Sequence, residues 1–147
     1  MRIVLDTNVV LDWLVFRDPG VAHIASALEQ HAVTALTNEA CEQELIRVLD
    51  YDTLALDERA RNAVLDIYQS FVHRSADGGS GAALPLCSDR DDQKFLELAR
   101  DARAQYLITK DKALLKLARA RYGIRAFSIV TPRGFSMASC APELPSQ

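Results

Sequence analysis

The sequence predicts an α/β domain with a mainly parallel sheet of about five strands, covered by helices on both faces. Two observations carry this. Short apolar, β-branched runs alternate with longer amphipathic stretches along the chain, the pattern of strands joined by crossover helices. The 147 residues, 49% hydrophobic and 25% charged, suit one globular domain able to bury about two-thirds of its unfolded surface. In such sheets functional groups gather beyond the carboxyl ends of the strands. The informative residues are therefore the polar ones at strand ends.

Arg2–Leu5 reads as a buried strand, its run Ile3-Val4-Leu5 stopped by Asp6. From Asn8 the residues Val9, Val10, Trp13 and Leu14 predict a helix, broken by Asp18-Pro19-Gly20. A short helix over Val21–Gln30 precedes a second strand over Ala32–Leu36. Asn38 then caps a helix from Glu39 to about Leu49. A longer helix is expected from Asp57 to Arg74, with Val64, Ile67, Tyr68 and Phe71 at core spacing. Ser75–Ala83, which includes Asp77-Gly78-Gly79-Ser80-Gly81, reads as a flexible loop, and Leu84–Cys87 as a short strand. Ser88-Asp89-Arg90-Asp91 matches a capping box opening a helix to about Arg103. Tyr106–Thr109 predicts a strand, Asp111–Tyr122 a helix and Ala126–Val130 the last strand. The folded domain is expected over 1–135, with a tail over 136–147 that frays.

No apolar run reaches the ~20 residues of a membrane span, and Met1–Asn8 lacks the apolar core of a signal peptide. Cys41, Cys87 and Cys140 are odd in number and widely spaced. That argues against a disulfide framework or a thiolate zinc site and for a reducing cytoplasm. The net charge of −3 is unlike a nucleic-acid binder, but the charge is uneven. Residues 1–93 hold 7 Lys/Arg against 16 Asp/Glu, and residues 94–147 hold 10 against 4. A basic second half can supply phosphate contacts. Lys110, Lys112, Lys116, Arg119 and Arg121 are the candidates, with a solvated helix face as the plainer reading. Neither G-x-G-x-x-G nor G-x-x-x-x-G-K occurs, which disfavours a nucleotide-binding enzyme.

Asp6 follows the first strand directly, and Asp111 follows the Tyr106–Thr109 strand within two residues. In parallel strands both carboxylates leave the same sheet edge. Asp92 lies in the first turn of the preceding helix, and Glu44 about two turns into the helix after the second strand. Four acids converging from separate segments repel one another unless a cation compensates them. Hard divalent cations take such oxygen ligands and can brace a phosphodiester during in-line attack. Spacing leaves a second reading open, in which Asp6 and Asp111 simply cap their helices and Glu44 is solvated.

The chain resembles the PIN-domain family across nearly its whole length, most closely the branch of toxins from toxin–antitoxin pairs. The matching segments are Ile3-Val4-Leu5-Asp6-Thr7-Asn8-Val9, then Asn38-Glu39 running to Glu44-Leu45 and Val48-Leu49. Asp89-Arg90-Asp91-Asp92 leads to Lys94-Phe95-Leu96. Tyr106-Leu107-Ile108-Thr109-Lys110-Asp111 and Ile129-Val130-Thr131-Pro132-Arg133-Gly134-Phe135 follow. The resemblance implies a three-layer α/β/α fold and an endoribonuclease that cleaves single-stranded RNA with metal-activated water. The metal is Mg2+, with Mn2+ as a substitute. It maps an acidic quartet onto Asp6, Glu44, Asp92 and Asp111 as catalytic and metal-binding residues, with Asn8 and Thr109 as supporting polar groups. It also implies a cognate antitoxin and a homodimer. Three positions depart from the family pattern: Gln93 replaces an acid, Asn38 a serine and Lys110 a glycine. Asp89 or Asp91 could take the role given to Asp92, and Lys110 either reaches an RNA phosphate or is solvated. His23, His31 and His73 fall outside the matching segments, against a metal-free histidine mechanism.

Two rival readings stand beside this one. A catalytically silent PIN-like module that only docks RNA or protein is disfavoured by retention of all four acids. A receiver-type phosphoacceptor domain needs its aspartate on a central third strand with an adjacent acidic pair. Asp6-Thr7-Asn8 after the first strand fits that poorly, and stable labelling by acetyl phosphate would separate the two.

Overall fold

A computed structural model describes residues 1–75 and 83–136. The strands are β1 (Arg2–Leu5), β2 (Thr34–Thr37), β3 (Val72–Arg74), β4 (Tyr106–Ile108) and β5 (Ser128–Val130). They form one sheet in the order β3-β2-β1-β4-β5, and every neighbouring pair is parallel. The helices are α1 (Thr7–Leu14), α2 (Ala22–Glu29), α3 (Glu39–Leu49), α4 (Glu58–Phe71), α5 (Gln93–Asp101) and α6 (Lys112–Lys116).

Strand periodicity explains the layers. Ile3 and Leu5 point to one face, where they meet Val9, Ile24, Leu28, Leu45, Leu49, Val64 and Tyr68 from α1 to α4. Val4 points to the other, where it meets Leu36, Phe95, Leu96, Leu107, Leu114 and Ile129. Pairing keeps the faces in phase: Val4 lies opposite Leu36 and Leu107, and Leu107 opposite Ile129. Each such aliphatic side chain contributes about 1.5–3 kcal/mol by leaving water, and a one-residue slip would reverse both faces. The expected three-layer α/β/α arrangement is present.

Several elements differ from the expectation. The helix ending in Arg74 stops at Phe71, where Val72 turns to extended backbone (φ −116°, ψ 124°). Val72–Arg74 then pairs with Ala35–Thr37 as an edge strand. Within α4, Val64 and Tyr68 are buried while Ile67 is exposed. Residues 84–87 form no strand. Pro85 lacks a ladder donor, and the Gln93 amide occupies this backbone, accepting from the Cys87 N–H (2.7 Å) and donating to the Pro85 carbonyl (3.1 Å). The cap of the next segment shifts from Ser88 to Asp89, whose carboxylate accepts from the Asp91 N–H and opens a 3-10 turn over Arg90–Asp92. The last helix covers only Lys112–Lys116, and a separate 3-10 turn spans Ala120–Tyr122. Gly123, with φ 71°, redirects the chain toward β5. The expected glycine-rich loop falls largely, and the tail almost wholly, outside the described residues.

Candidate active site

β1 is the middle strand, so Asp6 leaves the centre of the sheet, and β4 beside it delivers Thr109 and Asp111 to the same edge. Asp6 is 3% exposed and occupies the cap position of α1, yet its side chain makes no capping bond. It accepts instead from the hydroxyl of the wholly buried Thr109, at 2.6 Å. Asp111 takes both roles left open by its spacing. It caps α6 by accepting from the Ala113 N–H at 2.7 Å and also faces Asp92. Its own N–H donates to Thr109 Oγ1 at 3.0 Å. Thr109 thereby fixes two acids at once.

Asp92 ends the 3-10 turn that the Asp89 cap creates. It is 7% exposed, and its Oδ2 is buried with no hydrogen-bond partner. Burial pushes its carboxyl up to about 8, reinforced by Asp111, Asp6 and Asp89. Burial also raises Asp6, against the Thr109 bond, with the charges of Glu44 and Asp111 adding to the rise. One carboxylate oxygen from each of Asp89, Asp92 and Asp111 lies within 4.8 Å of the others. This donor set fits a hard divalent cation: it is all oxygen, and a cation would satisfy the orphaned Asp92 Oδ2.

Glu44 joins the group electrostatically through Asp6, but both its oxygens are engaged. Oε2 accepts from Thr7 Oγ1, and Oε1 meets the Lys94 ammonium at 2.6 Å. Thr7 and Lys94 were not singled out by sequence, although both lie inside the matching segments. The sheet edge gathers Asp6, Asp92, Asp111, Thr109 and, through Asp6, Glu44. Asn8 is exposed on the first turn of α1, and the observed hydroxyl partner in that turn is its neighbour Thr7. Asp89 and Asp91 are both exposed, and of these two alternatives to Asp92 it is Asp89 whose carboxylate joins the cluster.

Lys110 is neither simply solvated nor free for phosphate: its ammonium pairs with the buried Asp12. Lys112, Lys116, Arg119 and Arg121 are exposed, and the Arg121 guanidinium stacks 5.0 Å over the Tyr122 ring. Among the histidines, His23 is tied to the Pro132 carbonyl at 2.7 Å and His31 lies against Phe71. Cys41 and Cys87 are buried free thiols, and burial pushes Cys41 up to about 12, which suits packing rather than reactivity.

A parallel α/β sheet with acids clustered past its central strands defines the class, and comparison places the chain within it. The sequence matches the PIN domain over residues 2–113. The chain belongs to the PIN-domain family, whose members are in general nucleases that use divalent metals. No curated protein matches it. Among solved structures, it is similar to a chain of VapBC2 from Rickettsia felis, bound to a DNA fragment from its promoter. That likeness has a TM-score of 0.60 at 15% identity, covering 89% of this chain and 98% of that one. No helix among the described residues is long and apolar enough to cross a membrane.

Proposed function

We propose that the protein is a divalent-metal-dependent endoribonuclease acting on single-stranded RNA, the toxin of a toxin–antitoxin pair. The observation that carries this is the buried, unpartnered Oδ2 of Asp92, a residue whose carboxylate clusters with those of Asp89 and Asp111. An acid so placed is costly without a cation, so Asp92 and Asp111, with Asp6 beside them, are assigned to hold magnesium, with manganese as substitute. Bound there, the ion would supply charge stabilisation for the phosphodiester and ease deprotonation of water.

The chain's own residues prepare that chemistry. Thr109 orients Asp6 and anchors the Asp111 backbone. The Asp89 cap sets the turn that delivers Asp92. Glu44 adjusts the site through its charge, and Asn8 is assigned as a supporting polar group on the turn that follows Asp6. Exposed Lys112, Lys116 and Arg119 beside α6 offer sequence-blind contacts to the RNA backbone. The toxin assignment rests on family resemblance and agrees with the VapBC2-like fold. With it go a cognate antitoxin, a homodimer and action in the cytoplasm. The test is cleavage of single-stranded RNA with magnesium or manganese by the parent and by Asp6→Asn. Cleavage by the parent and loss in the variant is expected. A parent that cuts nothing, or a variant that cuts equally well, overturns the reading.

A further inference from the structure

Lys94 sits at the joint between two parts of the site. Its ammonium meets Glu44 Oε1 at 2.6 Å and donates to the Asp91 carbonyl, inside the turn that ends at Asp92. It thus links α3, which carries Glu44, to the segment carrying Asp89 and Asp92. Both partners of the ion pair are mostly shielded, with 19% and 13% of their side chains exposed. With Thr7 on its other oxygen, Glu44 has neither oxygen free of a partner.

The geometry of the remaining acids suits a single ion. Ligands on opposite sides of magnesium lie about 4.2 Å apart, twice the 2.0–2.1 Å bond length. The oxygens of Asp89, Asp92 and Asp111 spread over no more than 4.8 Å, a shell closable around one ion by small side-chain movements. A second ion about 3.5–4 Å away would need further carboxylates. The acids on that side are Glu44, with both oxygens paired, and Asp6, with one oxygen held by Thr109, so Glu44 decides whether a second ion can be held.

We propose that Lys94 is a positioning residue whose ammonium stands in for a second divalent cation on the Glu44 side. The chain then takes one divalent ion, among Asp89, Asp92 and Asp111 with Asp6 beside them. The inference rests on the metal reading above and sharpens it: Glu44 is an anchor for Lys94 rather than a ligand. Lysine suits the part because its ammonium is a compact point charge with donors in several directions.

Manganese bound per chain, counted by paramagnetic resonance and titration calorimetry on the full chain, tests this. The parent is expected to bind one ion, and Lys94→Met two, because removing the ammonium frees Glu44 beside Asp6. Lys94→Arg should restore a count of one, since a guanidinium still occupies Glu44. Glu44→Gln should keep the single ion within about threefold of the parent affinity, a change under 1 kcal/mol. Circular dichroism of each variant separates misfolding from a change in count. Should Lys94→Met not fold, the parent and Glu44→Gln decide. Two ions in the parent, one in a folded Lys94→Met, or loss of the ion in folded Glu44→Gln overturns this inference alone. No ion in the parent overturns the metal reading and this inference with it.

Discussion

Asp92 gives the sharpest energetic test, because the same carboxyl should weaken the metal-free protein and strengthen the metal-bound one. Its folded value near 8 stands about four units above the ordinary 3.8. At 1.36 kcal/mol per unit, the full shift corresponds to roughly 5–6 kcal/mol. Solvent at half-exposed Asp111 and exposed Asp89 screens much of this, leaving about 2 kcal/mol. The sign follows from linkage. The folded state holds the proton more tightly than the unfolded chain, so the stabilisation is complete below the unfolded value near 3.8 and is lost as pH rises to about 8. Asp92→Asn cannot ionise and keeps the shape. Without metal it should match the parent near pH 4 and exceed it near pH 8 by about 2 kcal/mol, roughly 4–8 °C in Tm. Saturating magnesium should reverse the order, since an ion at a hundred times its Kd adds about 2.7 kcal/mol to the parent alone. Trp13, the single tryptophan and 6% exposed, supplies the fluorescence signal for thermal melts. If Asp92→Asn is the less stable protein near pH 8 without metal, Asp92 is a structural acid and the reasoning fails. Equal stabilisation of both proteins by magnesium refutes it as well.

Other perturbations read other parts of the site. Thr109→Val strips the hydroxyl shared by Asp6 and the Asp111 N–H; denaturant melts should show a loss of about 1–3 kcal/mol. Because that bond lowers the Asp6 carboxyl, the acid limb of the cleavage profile should also move to higher pH; an unmoved limb would separate Asp6 from catalysis. Lys110→Ala leaves Asp12 buried without its partner and should cost about 1–3 kcal/mol in denaturant melts. A neutral result would show that water compensates Asp12. Joint replacement of Lys112 and Lys116 by Ala should leave stability within about 0.5 kcal/mol. It should lower the salt dependence of RNA binding by about 1.4 in log–log slope, two phosphates at 0.7 each. An unchanged slope would remove this helix from the RNA path.

The fold was legible where periodicity and termination agreed. Ile3-Val4-Leu5 stopped by Asp6, and Asn38 before an amphipathic eleven-residue helix, each gave one answer, and the structure has both. β3 was hidden because Val64, Tyr68 and Phe71 carry a helical rhythm to the doorstep of Val72, and only pairing with β2 makes those three residues a strand. Residues 84–87 misled in the opposite sense. Their apolar run resembles a strand, but a side chain six to eight positions away, Gln93, claims their hydrogen bonds. Local propensity cannot register a partner of that kind. At the site, chain position sufficed to place Asp6 and Asp111 on one edge. The Thr7–Glu44–Lys94 chain was illegible, because it joins α1, α3 and α5 through side chains alone.

Asp6 shows what distinguishes a site acid from a cap when sequence context is the same. Asn38, Asp57 and Asp111 stand at helix starts and each accepts a backbone N–H two or three residues ahead, worth about 1 kcal/mol to its helix. Asp6 stands at a helix start too and forgoes that bond. It turns to a hydroxyl 103 residues away and accepts burial that raises its carboxyl. The forgone cap and the burial each weaken the metal-free protein, while the Thr109 bond holds the carboxylate at the sheet edge. Asp111 is the intermediate case: its oxygen caps α6 while Thr109 holds its backbone toward Asp92. A helix-start acid whose carboxylate forgoes the capping bond for a partner distant in sequence is placed by what the sheet edge assembles. Here the sheet edge assembles a group of carboxylates whose repulsion a proton on Asp92 relieves and a divalent cation would relieve in its place.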